Sequence, residues 1–520
     1  MSPSGLHRAR IGAIQSETEA ALADLADRDA VARLWAHDHT LWSDDPTEIS
    51  DRMGWLDVLA DMEAAGERLD AVAAKAVADG FTDVVVMGMG GSSLFPEVLA
   101  RTFGEVEGAL ALTVLDSTDP AAIARVAAQA PPERTLFVAS SKSGGTVETR
   151  SHLDFFWERI GRPEQFAVVT DPGSDLGTLA RERGYREVFE NRSDIGGRYS
   201  ALSFFGIVPA AFAGVDWRGL VGSALGVADS LRDPDPTINA GLHLGAVLGA
   251  AVKAGRDKVT LVVDPRFETF GLWLEQLLAE STGKHGTGVV PVVDEPLGPE
   301  DVYGGDRLFV AIGEVEHPIG LDVLAADGHP VVELTVADLT DIGAQVLLWE
   351  VATALCGAVL GINPYDQPNV AEAKEATKEV LASGAAPLPT TTLAELLAEV
   401  VPGDYLAVQG YLDPLSEEAD ELAELRIELR DEFHVATTFG IGPRFLHSTG
   451  QLHKGGPPTG VFVQVVGADP SDAAIPGQPF TFSELKHAQA DGDLATLRHH
   501  GLRAARVTLA ELAARNQGAP

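Results

Sequence analysis

The 520-residue sequence contains a single cysteine, Cys356, and few basic residues. One cysteine excludes an intramolecular disulfide, and its apolar surroundings, VATALCGAVLG, predict a buried thiol in a protein of a reducing compartment. Lys and Arg total 38 against 77 Asp and Glu, a formal charge of -39, which excludes long-range attraction to nucleic acid or to anionic membranes. An anionic ligand must therefore be held by a local pocket.

Signals for export and membrane insertion are also missing. Residues 1–22 contain no apolar core of a secretory signal. The most apolar long window, residues 342–362, is interrupted by Gln345 and Glu350, which favours a buried helix over a membrane span. We therefore expect a soluble, cytoplasmic protein with no nucleic-acid or membrane partner.

Metal-binding patterns are absent from the sequence as well. It has no helix with paired histidines at ligand spacing and no cysteine pair, and we interpret His499 and His500 as a surface pair. We therefore expect no metal and no other cofactor.

Length and hydrophobic periodicity predict several α/β units. At about 150 residues per domain, the chain has room for two to four folding units. Apolar residues at helical spacing predict amphipathic helices over residues 1–79, and strand-type apolar runs then alternate with helical stretches. Because those runs lack period-two alternation, we expect strands buried on both faces, hence doubly wound parallel sheets. The predicted segments are 1–79 (helical), 80–240 and 241–384 (two doubly wound α/β sub-domains) and 385–520 (a C-terminal α/β extension).

A loop that follows the strand-type run TLFVAS is the most informative candidate site. It combines hydroxyl donors, one positive charge and two glycines whose amides can approach a ligand closely, and it leads into a helix whose dipole favours an anion. The residues are Ser141, Lys142, Ser143, Gly144, Gly145 and Thr146, with Glu148 one turn inside the helix. The alternative is a turn capped by Ser and Thr, with Glu148 as a solvated helix acid.

A second glycine-rich turn, Met87–Ser93, follows the run DVVV. Ligands bind at such turns in open α/β sheets, and its serines offer hydroxyls to a sugar or phosphate. A dinucleotide site is the competing interpretation, since Gly88 and Gly90 could open a Rossmann fingerprint and Asp116 lies near the position of a ribose-binding acid. Ser93 in place of the third glycine argues against that interpretation.

Three further motifs contain residues suited to acid–base chemistry. Paired glycines expose Arg198, whose guanidinium fork suits an oxyanion. Gln276 and Glu280 share a helix face, and Glu280 lies at the helix carboxyl end, where the dipole disfavours a carboxylate and the placement hints at function. The segment Asn363–Pro368 is followed by Lys374 on a predicted helix. Each motif alone also fits a surface turn or a solvated helix.

Together and in this order, these motifs resemble the phosphoglucose isomerase family, which is built on two sugar isomerase (SIS) sub-domains. The matching stretches lie between residues 80 and 380: Gly90–Ser92, Ser141–Thr149, Gly196–Ser200, Glu280–Lys284 and, in an N-x-x-D-Q-x-x-V-x-x-x-K pattern, Asn363, Asp366, Gln367, Val370 and Lys374. The carboxyl-terminal part also resembles the isomerase half of transaldolase–phosphoglucose isomerase fusion proteins, although residues 1–80 leave no room for a transaldolase barrel.

The resemblance implies interconversion of glucose 6-phosphate and fructose 6-phosphate through a cis-enediol. Glu280 would be the base that moves a proton between C2 and C1, Arg198 would stabilise the enediolate, and Lys374 would assist ring opening. The implied substrate contacts are Gly91, Ser92, Ser141, Lys142, Ser143 and Thr146 around the phosphate, and Glu148, Gln276 and Gln367 around the sugar. The family also implies a homodimer.

One family element is displaced in this sequence. The family's ring-opening histidine lies in a T-N-G-Q-H segment shortly after its ESNGK motif, and no such segment occurs there. A loosely similar run, S-T-G-Q-L-H, lies near the carboxyl terminus, between His447 and His453. We expect His447 or His453 to supply the acid–base group, with a glycine-rich turn as the alternative and His285 as a weaker choice.

Three other functions stay open on the sequence. A dual phosphoglucose/phosphomannose isomerase would use the same base and the same phosphate loop. A non-catalytic SIS-domain sugar-phosphate sensor would need only the loop, whereas this sequence also keeps Glu280, Arg198 and Lys374. An NAD-dependent oxidoreductase would follow from the dinucleotide interpretation of the glycine turn.

Overall fold

A computed structural model describes residues 5–315, 320–385 and 391–516. Its strands are β1 (Gly5–Arg10), β2 (Asp83–Met87), β3 (Ala111–Leu115), β4 (Thr135–Ser140), β5 (Phe166–Thr170), β6 (Glu187–Glu190), β7 (Lys258–Val263), β8 (Val290–Val292), β9 (Arg307–Ile312), β10 (Val331–Thr335), β11 (Tyr405–Tyr411), β12 (Ala436–Ile441), β13 (Gly460–Val466) and β14 (Arg503–Val507). Its α-helices are α1 (Gln15–Asp27), α2 (Ala30–Trp35), α3 (Val58–Ala64), α4 (Gly66–Ala78), α5 (Leu94–Phe103), α6 (Pro120–Gln129), α7 (Val147–Ile160), α8 (Asp175–Arg183), α9 (Phe204–Phe212), α10 (Trp217–Ala228), α11 (Ala240–Lys253), α12 (Phe270–Thr282), α13 (Leu321–Ala326), α14 (Ile342–Leu360), α15 (Val370–Ser383), α16 (Leu393–Leu397), α17 (Glu417–Phe433), α18 (Gly450–Gly455), α19 (Phe482–His499) and α20 (Leu509–Asn516).

The strands form three sheets, which we call the first, second and third sheet in chain order of their main strands. The first has the order β3-β2-β4-β5-β6 and is parallel throughout. The second has the order β1-β10-β9-β7-β8 and is parallel except that β1 pairs antiparallel to β10. The third, β12-β11-β13-β14, is parallel. Parallel sheets with intervening helices confirm the predicted α/β fold class.

The amino-terminal segment differs in part from the helical prediction. Helices α1 to α4 are present, but β1 adds an edge strand to the second sheet, with Gly5 opposite Thr335 and Arg10 opposite Val331. The Arg10 guanidinium donates to the Glu333 carboxylate at 2.6 Å. Because β1 has no apolar run of its own, its conformation depends on pairing with a distant strand, which periodicity cannot indicate.

Helix α14 is the centre of the main core. Its residues Ile342–Val359 are all buried, and the apolar helix α11 packs along it. Within the described ranges, the segment Leu339–Leu360 is the one helix long and apolar enough to cross a membrane, and its most apolar 18-residue window is completely buried in the protein. This burial confirms the buried-helix prediction. Cys356 is buried in the same helix, and its burial raises the pKa of the thiol to about 12.

The C-terminal α/β unit packs on the first sheet's unit and on the segment that carries Lys374. Helix α19 of this third unit packs against α15. Its first residue, Phe482, meets Phe155 of α7 edge to face, with ring centroids 5.7 Å apart. The predicted boundary at residue 384 adjoins residues 386–390, which lie outside the described residues. The third unit is thereby held against the part of the molecule where the sequence motifs converge.

Candidate active site

The predicted motifs meet where elements of all three sheets come together. The glycine turn follows β2 and the phosphate loop follows β4, at the carboxyl ends of two paired parallel strands, where open α/β sheets bind ligands. Helix α12 and the turn that carries His447 complete the site. Gln276 Nε2 donates to the backbone oxygen of His447 at 2.9 Å. A Cβ on Gly90 would lie 2.8 Å from each of these two atoms, so the glycine turn touches both elements.

The two glycine-rich motifs touch each other through their backbones. A Cβ built on Gly91 would lie only 1.8 Å from the carbonyl oxygen of Gly197, closer than any side chain tolerates. Gly197 itself has open space around its Cβ position. Glycine is therefore required at 91 by close approach, and the contact fixes Ser92 and Arg198 relative to each other, each one residue away.

We expect Gly91→Ala to destabilise the protein by about 1–3 kcal/mol, because the added methyl must push the two loops apart. Urea unfolding of Gly91→Ala and of the matched control Gly197→Ala would measure this difference. The control should keep nearly wild-type stability because its methyl meets no atom. Equal stability of the two variants would contradict the described contact.

The phosphate loop is folded around its own hydroxyl groups. Ser141 Oγ lies 3.1 Å from Thr146 Oγ1 and accepts the N–H of Gly144 at 3.2 Å. The N–H of Gly145 donates to Ser143 Oγ at 3.3 Å. Gly144 has a φ of 74°, a left-handed conformation that glycine adopts without strain. Among the described residues no side chain caps the N-terminus of α7, so the loop offers hydroxyls and amides to an anion.

Lys142, predicted to face a phosphate, is held at the rim of this loop. Its ammonium group donates to the Asp171 carboxylate at 2.5 Å and to the backbone oxygen of Ser193 at 2.6 Å. Ser92, predicted to contact the same phosphate, is buried at the end of the glycine turn. An anion in the loop would therefore compete with Asp171 for the Lys142 charge.

Glu280 is held between a guanidinium group and an amide. Arg198 Nη1 lies 3.3 Å from Glu280 Oε1, and Gln276 Nε2 donates to Glu280 Oε2 at 3.0 Å. The side chains of Arg198 and Glu280 are only 3% and 7% exposed. Arg198 Nε also donates to Ser281 Oγ at 2.8 Å. The carboxylate and the guanidinium are thus fixed together in a site of low dielectric, where their field is strong.

The motif at Asn363–Gln367 holds Arg198 and Lys284 through its backbone. Arg198 Nη2 donates to the carbonyls of Pro364 and Asp366 at 2.9 and 3.0 Å. Lys284 Nζ donates to the carbonyl of Asn363 at 2.8 Å and to Asp366 Oδ1 at 2.5 Å. Burial, aided by the charge of Arg198, lowers the pKa of Lys284 to about 8, although Asp366 opposes the shift. Motifs between 79 and 168 residues apart therefore form one polar cluster.

Glu148 binds two side chains of the third unit. His447 Nε2 lies 3.0 Å from Glu148 Oε1, and Gln489 Nε2 donates to the same oxygen at 2.6 Å. Burial alone would raise the pKa of the Glu148 carboxyl, but the charge and hydrogen bond of His447 outweigh burial and lower that pKa. An ionised carboxylate only accepts hydrogen bonds, so we assign a proton to His447 Nε2. The solvated-acid interpretation of Glu148 is wrong, since the residue is 4% exposed.

His453, the other candidate histidine, lies in the interior of the third unit. Its ring packs between Phe445 and Phe462, with centroids 5.9 and 5.0 Å away. Its Nδ1 lies 3.3 Å from Gln409 Nε2. Burial, together with the charge of Lys454, holds the pKa of His453 well below its usual range. The structure thus brings His447 to the carboxylate of Glu148 and gives His453 an aromatic environment.

Gln367, the residue after Asp366 of the polar cluster, and Lys374 on α15 have exposed side chains. Within the described ranges, no ion pair or hydrogen bond engages the Lys374 ammonium, although its charge contributes to lowering the pKa of Glu148. Gln489, which binds Glu148, was not among the sequence predictions. It lies 341 positions after Glu148, and nothing in its local sequence connects the two.

Asp116 is committed to an ion pair, which weakens the dinucleotide interpretation. Arg444 donates to both of its carboxylate oxygens, at 2.7 and 2.8 Å. Asp116, Arg444, Ser448 and Glu275 also line a cavity of about 770 Å³ at the junction of the three units. None of the predicted site residues lines this cavity, although Arg444 and Ser448 belong to the turn of His447. Within the described residues, no cluster of three His, Cys, Asp or Glu is arranged to hold a metal ion.

Burial, together with the negative charge of Asp294, raises the pKa of Glu275 to about 8. An acid whose folded-state pKa is raised keeps its proton when the unfolded chain has lost it, so stability falls between about pH 4.5 and about pH 8. We expect the free energy of unfolding of Glu275→Gln to fall less over this pH range than that of the wild type. The difference should be at most about 1.4 kcal/mol per pH unit. Urea unfolding at pH 5 and pH 9 would measure it, with exposed Glu379→Gln as the control. A variant as pH-sensitive as the wild type would contradict the assignment.

Comparison with known proteins identifies the family of this chain. The family model described as phosphoglucose isomerase matches residues 31–304, more than half of the chain. The chain belongs to the phosphoglucose isomerase family. The glucose-6-phosphate isomerase of Rubrobacter xylanophilus is 30% identical over 378 residues, covering 60% of this chain and 86% of that protein. The enzyme of the same name from Synechococcus sp. (strain JA-2-3B'a(2-13)) is 29% identical over 58% of this chain, and the chain spans 66% of its length.

Solved structures share the fold of this chain. A hypothetical protein of Thermus thermophilus is 26% identical, with a TM-score of 0.61 over 72% of this chain and 100% of its own. A glucose-6-phosphate isomerase of Chlamydia trachomatis is 20% identical, with a TM-score of 0.57 over 70% of this chain and 86% of its own, and shows the same fold. The match to the phosphoglucose isomerase model ends at residue 304, so His447 and Gln489 lie beyond it.

Proposed function

We propose that this member of the phosphoglucose isomerase family interconverts glucose 6-phosphate and fructose 6-phosphate by proton transfer through a cis-enediol. The observation that carries the proposal is the buried group of Glu280, Arg198 and Gln276, with contacts of 3.3 and 3.0 Å. It combines a general base, a fixed positive charge and a hydrogen-bonding amide within a few ångströms of one another. Such a set suits removal of a weakly acidic C–H proton beside a carbonyl.

Glu280 would take the proton from C2 of the open-chain aldose while O1 gains a proton, which gives the cis-enediol. The protonated carboxylate would exchange part of its proton with solvent and then give a proton to C1, as O2 loses a proton and becomes the ketone oxygen. Arg198 would stabilise the negative charge that develops on the substrate oxygens during both steps. Because both side chains are buried, this electrostatic stabilisation is stronger than it would be in water.

Gln276 has a free acceptor beside the base. Its amide nitrogen is used by Glu280 and by the backbone of His447, whereas its buried Oε1 has no hydrogen-bond partner among the described residues. A sugar hydroxyl is the donor that would satisfy this oxygen at the least cost. Gln276 would thereby orient the sugar, and Gln367 would contact it from the exposed side of the site.

The phosphate group would bind in the loop Ser141–Thr146, with Lys142 and Ser92 nearby. Binding energy gained there, away from the reacting carbons, would hold C1 and C2 in line with the base. The loop supports this role because its hydroxyls and the uncapped α7 amides form a cradle for an anion. Gly91 would keep the glycine turn close to the substrate.

His447 would open the sugar ring by giving a proton to the ring oxygen as O1 loses one. Its Nε2 is used by Glu148, which leaves Nδ1 for this exchange. We assign Glu148 Oε1 to holding His447, because two donors use this oxygen, and the sugar contact expected from the sequence would fall to Oε2. The nearby Lys374 would assist ring opening.

A coupled assay of glucose 6-phosphate formation from fructose 6-phosphate tests the proposal. We expect saturable turnover by the purified full chain, with mannose 6-phosphate assayed in parallel to detect a dual specificity. Substrate binding without turnover would contradict the proposal and favour a sugar-phosphate sensor.

We also propose a homodimer in the cytoplasm, as the family resemblance implies. The single buried Cys356 supports a reducing compartment. Light scattering should give about 109 kDa, twice the chain mass of 54.7 kDa. A mass near 55 kDa, about that of one chain, would contradict the dimer.

A further inference from the structure

The buried side chain of Gln489, in the third unit, forms hydrogen bonds with two segments of the first unit. It lies on α19, is 2% exposed, and its Nε2 donates to Glu148 Oε1 at 2.6 Å. Its Oε1 accepts the hydroxyl of Thr118 at 2.8 Å. Each polar atom of this amide therefore has a partner in the first unit, on two different segments.

The orientation of the amide follows from the chemistry of its partners. The ionised Glu148 carboxylate can only accept, so the NH₂ group of Gln489 must face it and the carbonyl must face Thr118. The same carboxylate oxygen also meets His447 Nε2 at 3.0 Å. The contacts therefore run in one chain, from the Thr118 hydroxyl through Gln489 and Glu148 to the imidazole.

Helix α19 is anchored where this chain of contacts needs it. Lys486, three residues before Gln489 and on the same helix face, donates to Asp119 at 2.9 Å, the residue next to Thr118. Lys486 also donates to Asp469 of the third unit. This ion-paired lysine holds the helix segment around Gln489 at a fixed distance from the loop that follows β3.

We infer that Gln489 is a positioning residue of the ring-opening step: it fixes the Glu148 carboxylate so that His447 holds one orientation with Nδ1 free. This inference rests on the proposed function. It makes the C-terminal unit part of the active site within one chain, because the unit supplies both the histidine and the amide that orients its carboxylate.

The other titratable groups around Glu148 determine what a pH profile can report. They are His447 of the third unit, Lys374 on α15, His152 on α7, Tyr411 on β11, Asp116 after β3, and the pair of Lys486 and Asp119. Gln489 itself does not titrate. A shift caused by its replacement therefore reports on Glu148 and His447 and not on a lost charge.

The test compares Gln489→Met, which keeps the volume but cannot donate, with wild-type full-length protein. We expect kcat with fructose 6-phosphate to fall about 10- to 100-fold with KM nearly unchanged, the range for a lost hydrogen bond to a charged group. The acid limb of the kcat profile should move to higher pH, because Glu148 loses a donor that favours its ionised form. Proton exchange of 5-deoxyfructose 6-phosphate, which has no O5 hydroxyl and cannot close a ring, should stay near the wild-type rate.

The matched control is Gln464→Met. Gln464 is a buried glutamine on β13 whose amide donates to the backbone oxygen of Ala490, next to Gln489, at 3.0 Å. This control should lose stability but keep the wild-type pH profile. If Gln489→Met does not fold, Gln489→Glu decides the question, since a second carboxylate beside Glu148 should move the acid limb in the same direction and further.

Two results would overturn the inference. One is an unchanged kcat and pH profile in the Gln489 variants while the wild type is an active isomerase. The other is an equal loss on the ring-closing substrate and on 5-deoxyfructose 6-phosphate. An inactive wild type would instead refute the proposed function and, with it, this inference.

Discussion

Glu280→Gln is expected to lower kcat for fructose 6-phosphate by about 10²- to 10⁴-fold, the contribution of a general base. The amide has nearly the same shape and its oxygen can still accept from Arg198, so the site should stay largely assembled although the hydrogen bond from Gln276 is lost. It cannot take a proton from carbon, so the chemical step should fail. Substrate affinity, measured by calorimetry, should change by less than about tenfold because the phosphate loop is untouched.

Glu275→Gln is the matched control for this variant. Glu275 is the buried glutamate five residues before Glu280 on α12, 7% exposed, and its Oε1 lies 3.4 Å from Ser448 Oγ. Losing this carboxyl group should leave most of the activity. Equal activity of the Glu280 variant and the wild type would mean that another group is the base. An equal loss of activity in both variants would mean that helix α12 does not tolerate replacement of a buried glutamate by glutamine.

His447→Gln is expected to lower turnover of fructose 6-phosphate by about 10²-fold, the lower range for an acid–base group. The glutamine amide can replace Nε2 as donor to Glu148 but cannot exchange a proton. The loss should be confined to ring opening. Proton exchange of the open-chain 5-deoxyfructose 6-phosphate, followed by NMR, should therefore stay within about threefold of the wild type, below the tenfold that a change of 1.4 kcal/mol would produce.

His453→Gln distinguishes the two candidate histidines. Because its ring lies between Phe445 and Phe462, we expect this variant to lose stability and to keep the wild-type ring-opening rate per folded molecule. A large, selective loss of ring opening in the His453 variant, with His447→Gln unaffected, would reverse the assignment. Loss in both would indicate that the turn between them acts as a unit.

Strands with long apolar runs could be predicted from the sequence, and those without could not. The runs TLFVAS, RLFVAI and GVFVQVV become β4, β9 and β13. Strands β1, β6 and β14 are short or charged, and they form because a neighbouring strand supplies hydrogen bonds and burial. Local sequence carries little trace of that contribution. The fold class therefore follows from the central strands, and the sheet edges need the tertiary structure.

The residues of the candidate site also divide into those that the sequence predicts and those that only the tertiary structure reveals. Ser141, Arg198 and Glu280 could be predicted because each lies in a short motif whose residue types suit its chemistry. The role of Glu148 could not, since its partners His447 and Gln489 come from sequence positions 299 and 341 residues away. Glutamines on a helix are common, and only the fold shows that this one meets a buried carboxylate. Contacts between units that are distant in sequence are therefore what the structure adds.

Isomerisation in D₂O tests the central claim most directly, because that claim is proton transfer by a single carboxylate. The wild-type protein should convert glucose 6-phosphate to fructose 6-phosphate with partial solvent deuterium at C1, detected by NMR, and Glu280→Gln should slow both conversion and incorporation by about 10²- to 10⁴-fold. Fructose 6-phosphate formed without any solvent deuterium would show that the transferred hydrogen never exchanges with solvent and would contradict the account. Unchanged incorporation in Glu280→Gln would contradict the assignment of the base.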